Sequence, residues 1–245
     1  MASLVRTAVV GVDGSPASMA ARAWAATIAD DLHEVHVTGD DVAGGIAHAA
    51  DDRGADLVAV GMHDQRRRVL RGLGPVVRTL LETTTRPIAV VGEGQEATTA
   101  TSTIVVGVGH GPATQAALRW AALLARERTA RLELVRALPH RPVFRPDGLL
   151  DLMAFYLDPA LAAEWAADDL ETFAREVDLV TGEEVPVGWT VPSGRTGAVL
   201  VEASERAQLL VVGLHDRPGR HDRDVKPWCR HVLVHAPCPV VFVPA

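Results

Sequence analysis

Apolar residues in this chain fall in short unbroken runs instead of strict alternation. Val9-Val10-Gly11-Val12, Leu57-Val58-Ala59-Val60 and Ile88-Ala89-Val90-Val91 come first, followed by Val105-Val106-Gly107-Val108, Leu209-Leu210-Val211-Val212 and Val240-Val241-Phe242-Val243. Runs rich in β-branched residues with no polar interruption suit strands covered on both faces, as in a parallel sheet. Helical stretches separate them: roughly Pro16 to Asp31, Val42–Arg53 with the weakening pair Gly44-Gly45, Pro75 to about Thr84, and Ala160–Val177 with Leu161, Trp165, Leu170 and Phe173 on or near one face. Glu34-Val35-His36-Val37 and Arg131–Leu138 read as further strands, Met62–Arg71 and Pro139–Asp147 as loops. Strand and helix in alternation predict parallel pairing with right-handed crossovers.

The pattern occurs twice. Val9–Ala26 laid over Val105–Ala122 at an offset of 96 matches about 11 of 18 residues. Ala55–Asp64 echoes Ala207–Asp216, and Arg86–Val91 echoes Cys238–Val243, both at an offset of 152. The second half therefore carries about 56 residues that the first lacks, enough for one strand–helix unit. The first half should have one strand fewer and an uncovered edge or face, to be covered by the other half or by a second chain. Gly92–Ser102 has no apolar period and reads as the linker. The division is a truncated domain at 1–93, a linker at 94–102 and a complete domain at 103–245.

Each repeat opens with a strand that runs into a glycine turn and a helix. Ser15 can cap the first helix and Pro16 fits its first turn. Such a turn exposes backbone N–H groups at the positive end of a helix dipole, which suits an anion, although the same turn also serves simply to reverse a chain. Charge narrows the partners: a net charge of −7 and a pI near 5.8 argue against nucleic acid and anionic membrane surfaces. Two cysteines are too few for a disulfide framework or a cysteine-rich zinc site. The chain enters a strand at Thr7 with no signal-peptide pattern and contains no apolar run near 18 residues, so a soluble cytoplasmic protein is the expectation.

The opening Val10-Gly11-Val12-Asp13-Gly14-Ser15, the strand Ala55–Gly61 and the closing Cys238–Val243 resemble the universal stress protein family in its tandem two-domain form. The resemblance implies two Rossmann-like open parallel sheets related to the adenine nucleotide alpha hydrolase fold, each with order 3-2-1-4-5, and domains paired through their last strands. It also implies an ATP site in some members, between the first and fourth strands, where open α/β sheets hold ligands. ATP-binding members show Gly-x-x-Gly, nine residues, then Gly-Ser or Gly-Thr. Here the first half reads Gly61-Met62-His63-Asp64 and then Gly74-Pro75, while the second reads Gly213-Leu214-His215-Asp216 and then Lys226-Pro227, with Gly109 where Asp13 stands in the first. The residues carried over are Val12, Asp13, Gly61 and Gly74, with Arg66 and Arg67 of the arginine-rich loop as phosphate partners by charge.

Ten histidines raise a metal possibility, with His110, His215 and Asp216 able to converge and His221 or Asp222 nearby. Polar loop histidines are the plainer reading, and His231 and His235 read as helix-terminal charge. No nucleophile motif or Walker loop is present, and Ser193-Gly194-Arg195-Thr196 reads as the cap of a helix. The expectation is a non-enzymatic, stress-associated regulatory protein with a degenerate nucleotide site, two halves packed as a pseudo-dimer, further homodimer pairing, and an unidentified protein partner. An adenine-nucleotide sensor working through the first half, with ATP as its ligand, remains open, and so does metal binding through the loop histidines.

Overall fold

The computed structural model describes residues 3–36, 39–63, 73–95, 102–138, 159–182, 185–214 and 226–245. Strands and helices alternate. In the first half they are β1 (Thr7–Gly11), α1 (Pro16–Ile28), β2 (Asp31–Val35), α2 (Val42–Asp52), β3 (Leu57–Met62), α3 (Pro75–Thr83) and β4 (Ile88–Gly92). The second half contains β5 (Thr103–Gly107), α4 (Pro112–Arg128), β6 (Arg131–Val135), α5 (Pro159–Thr181), β7 (Val187–Thr190), α6 (Thr196–Ser204), β8 (Leu209–Gly213), α7 (Pro227–His235) and β9 (Val240–Val243).

The nine strands among the described residues form one sheet, ordered β2-β1-β3-β4-β9-β8-β5-β6-β7. Every pair is parallel except β4 and β9, which run antiparallel with Ile88 opposite Phe242 and Val90 opposite Val240. The second half has the expected 3-2-1-4-5 order as β7-β6-β5-β8-β9. The first half, β2-β1-β3-β4, lacks the outermost strand.

That vacancy lies at the far end of the sheet, so the other half does not cover it, contrary to one of the two covers expected from the sequence. Edge strand β2 carries charge instead: Glu34 pairs with Arg22 of α1 at 2.5 Å, and Asp31 lies 3.0 Å from His33. Charged side chains along an edge discourage pairing with another chain.

Helices cover both faces, which explains the unbroken apolar runs. Val10 packs into the layer formed by α1, α4 and α5, whereas its neighbour Val9 packs into the layer formed by α2, α3, α6 and α7. A polar residue at either position would face a dry core. Among the described residues, no helix is long and apolar enough to cross a membrane.

Three local expectations are corrected. Helix α1 ends at Ile28 instead of near Asp31, because the Asp30 and Asp31 amides donate to Val5 and Arg6 and bring Asp31 opposite Thr7. Strand β2 accordingly begins three residues earlier than its apolar content indicates; an edge strand needs less apolar surface. On α5, Ala166, Leu170 and Val177 are buried, but Trp165 is 41% exposed and lies off the buried stripe.

Candidate functional site

The carboxyl ends of β1 and β3, and of their counterparts β5 and β8, are the two edges where a nucleotide would be held. In the first half, the Val12 amide donates to the Val35 carbonyl at 2.9 Å, extending the β1–β2 ladder and occupying that donor. The chain then turns through Gly14, whose φ of +80° favours glycine. Asp13 is exposed, yet its carboxylate folds back: Oδ1 accepts from the Ser15 amide at 2.9 Å, and the Asp13 amide donates to Ser18 Oγ at 3.3 Å. Ser15 Oγ in turn accepts from the Ser18 amide at 3.2 Å and caps α1. The Ser15 side-chain and backbone hydrogen bonds, with help from Ser18, hold the Asp13 carboxyl down to about 2, so it is a fixed negative charge at neutral pH.

Gly61 sits at a close approach of strand and helix. A Cβ there would lie 2.4 Å from the Ala17 carbonyl carbon and the Ser18 amide nitrogen, so the glycine lets the end of β3 touch the first turn of α1. Gly213 repeats the arrangement: a Cβ there would lie 2.5 Å from the Ala113 carbonyl oxygen in α4. Gly74 is the N-cap of α3 in open space, without a side-chain cap, and Pro75 follows it with no N–H to offer. Lys226 and Pro227 start α7 in the same way. Arg66, Arg67, His215, Asp216, His221 and Asp222 lie outside the described residues.

In the second half Gly109 keeps the backbone clamp of Asp13 without its charge: its amide donates to Thr114 Oγ1 at 3.2 Å. Beside it stands a residue that sequence reasoning passed over. Arg136, directly after β6, is only 7% exposed; its Nη1 donates to the Asp169 carboxylate on α5 and its Nη2 lies 2.7 Å from His110 Nε2. A guanidinium only donates, so in this contact Nε2 of His110 is the acceptor. The available clue was a cation inside the apolar run Leu132–Leu138, which requires a partner wherever it is buried. In this geometry His110 Nε2 faces a cation. Among the described residues no group of three or more His, Cys, Asp or Glu side chains is placed to hold a metal. The Ser193–Thr196 turn does not cap by side chain either: the N-cap of α6 is Arg195 through its backbone, and Gly194 donates to Leu138 at 2.7 Å.

Comparison with known proteins agrees with this architecture. No curated protein matches the sequence. A universal stress protein from Archaeoglobus fulgidus superposes with a TM-score of 0.65 at 11% identity, covering 99% of this chain and 97% of its own. A functionally unknown protein from Pseudomonas aeruginosa gives 0.60 at 13% identity over 98% and 92%. A putative universal stress protein, also from Pseudomonas aeruginosa, gives 0.55 at 14% over 97% and 82%. At such identities the likeness speaks for the fold alone, but the sequence pattern of the universal stress protein family matches residues 101–244 directly. With more than half of its length matched, this chain belongs to the universal stress protein family.

Proposed function

We propose that this protein is a non-catalytic stress-response regulator in which both family nucleotide sites have been converted into structure, and which acts through its surfaces on a protein partner or on a second copy of itself. The observation that carries this reading is the Arg136–His110–Asp169 cluster. At the carboxyl ends of β5 and β6, where a family member would wall an adenine pocket, a buried cation is satisfied by residues of the chain itself. The first half supports the same reading. Gly61 is committed to helix packing, the Val12 amide to β2, and Pro75 removes a donor from the start of α3. The ionised Asp13 adds repulsion for a polyphosphate.

The test is to denature purified protein and resolve released nucleotides by anion exchange, alongside an Asp13→Ala variant, with calorimetric titration of ATP into the intact protein. The expected result is an empty supernatant and no heat of binding. A near-stoichiometric adenine nucleotide in the wild type that disappears in the variant overturns the proposal and establishes the first half as an ATP sensor.

A further inference from the structure

The α7 surface carries two histidines that the nucleotide edges do not use. His231 and His235 are one helical turn apart and both exposed, with ring centroids 4.5 Å apart. Two imidazoles at i and i+4 share one face of a helix, the spacing with which helical metal sites grip an ion.

The neighbouring helix fixes one of the rings. A Cβ at Gly197, in the first turn of α6, would lie 2.9 Å from His231 Cβ and 3.0 Å from its Cδ2, so the missing side chain lets the histidine seat against α6. Burial of the ring, then the nearby His235 and Arg195, lower the proton affinity of His231 below the usual imidazole range.

We propose that His231 and His235 form a two-imidazole chelate for a divalent transition-metal ion of the copper, nickel and zinc class. Imidazole nitrogen selects these ions over calcium and magnesium, which require oxygen donors. Copper(II) binds tightest of the series in a nitrogen site. Among the described residues no third His, Cys, Asp or Glu joins the pair, so the two rings alone carry the proposed grip. Arg195 opposes the incoming positive charge and weakens the site, which makes it a sensor-like or transient site and not a structural one.

The experiment is calorimetric titration of copper(II), and separately nickel(II), into the full chain free of any affinity tag, for the wild type, His231→Gln, His235→Gln and a His215→Gln/His221→Gln double variant. Thermal melts of each confirm folding. Chelation depends on the high effective concentration of the second imidazole, so each α7 variant should bind at least about tenfold more weakly. The His215/His221 double variant should match the wild type. Unchanged binding in both α7 variants, no binding by the wild type, or loss of binding in the His215/His221 variant would each overturn the assignment. Paramagnetic broadening by copper(II) gives the same answer without substitution: the imidazole resonances of His231 and His235 should broaden first, and selective broadening of other histidines refutes the site.

Discussion

Replacing Gly61 by alanine asks whether a glycine of the nucleotide signature is there for phosphate or for packing. The new methyl group would sit 2.4 Å from two backbone atoms of α1 and 2.5 Å from the Ala17 carbonyl oxygen. No rotamer relieves a clash with backbone, so α1 must move away from β3 by on the order of 1 Å, loosening a helix that buries Ala21, Trp24 and Ala25. Overpacking of this kind costs about 1–3 kcal/mol. For a chain of this size that lowers Tm by roughly 2–12 °C. Gly213→Ala, with the Ala113 carbonyl oxygen 2.5 Å away, should cost a similar amount and serves as an independent replicate. Gly74→Ala is the contrast. That position is open, with φ −57°, so the loss of unfolded-state entropy and the poorer N-cap nearly cancel, within about 0.5 kcal/mol of zero. Urea unfolding followed by circular dichroism measures all three without any ligand. Wild-type stability in Gly61→Ala together with a large loss in Gly74→Ala would refute the packing role.

Two further predictions concern charge and the seam. The Asp13 carboxyl is held at about 2, below its ordinary value of 3.8, so its contribution to stability is complete above pH 4 and is lost as pH falls from about 4 to 2. Solvent screening at this exposed site keeps the contribution under about 1 kcal/mol, and Asp13→Asn should flatten that part of a pH–stability profile; an unchanged acid limb contradicts the hydrogen-bonding account. Phe242 is fully buried on β9, between β4 and β8, so Phe242→Ala should cost about 3–5 kcal/mol and shift one cooperative calorimetric transition. A melt that splits into two peaks, only one of them shifted, would show that the halves unfold independently.

The histidine assignments show what a linear reading misses. His110 and His215 follow the neighbouring strands β5 and β8 and invite a shared ion, yet His110 Nε2 lies against Arg136, a residue 26 positions away. Arg136 was not singled out in sequence, yet it is buried and contacts Asp169 on α5. Gly61 was legible as a motif position but not as a packing contact, since the motif does not reveal how close α1 comes.

What the sequence determined by itself is local and periodic: the unbroken apolar strands, the glycine turns, the repeat at two offsets, and hence a parallel α/β fold whose first half is one unit short. Those features follow from neighbouring residues, because burial on both faces writes itself into consecutive positions. The resemblance already implied a junction through the last strands, but only tertiary structure decided that β4 and β9 meet antiparallel and merge the halves into one sheet, that the missing strand leaves its gap at the far edge, and that Arg136 meets His110 and Asp169. These depend on pairings between residues far apart in the chain. Sequence periodicity records that a surface is covered, but carries no information about which element covers it.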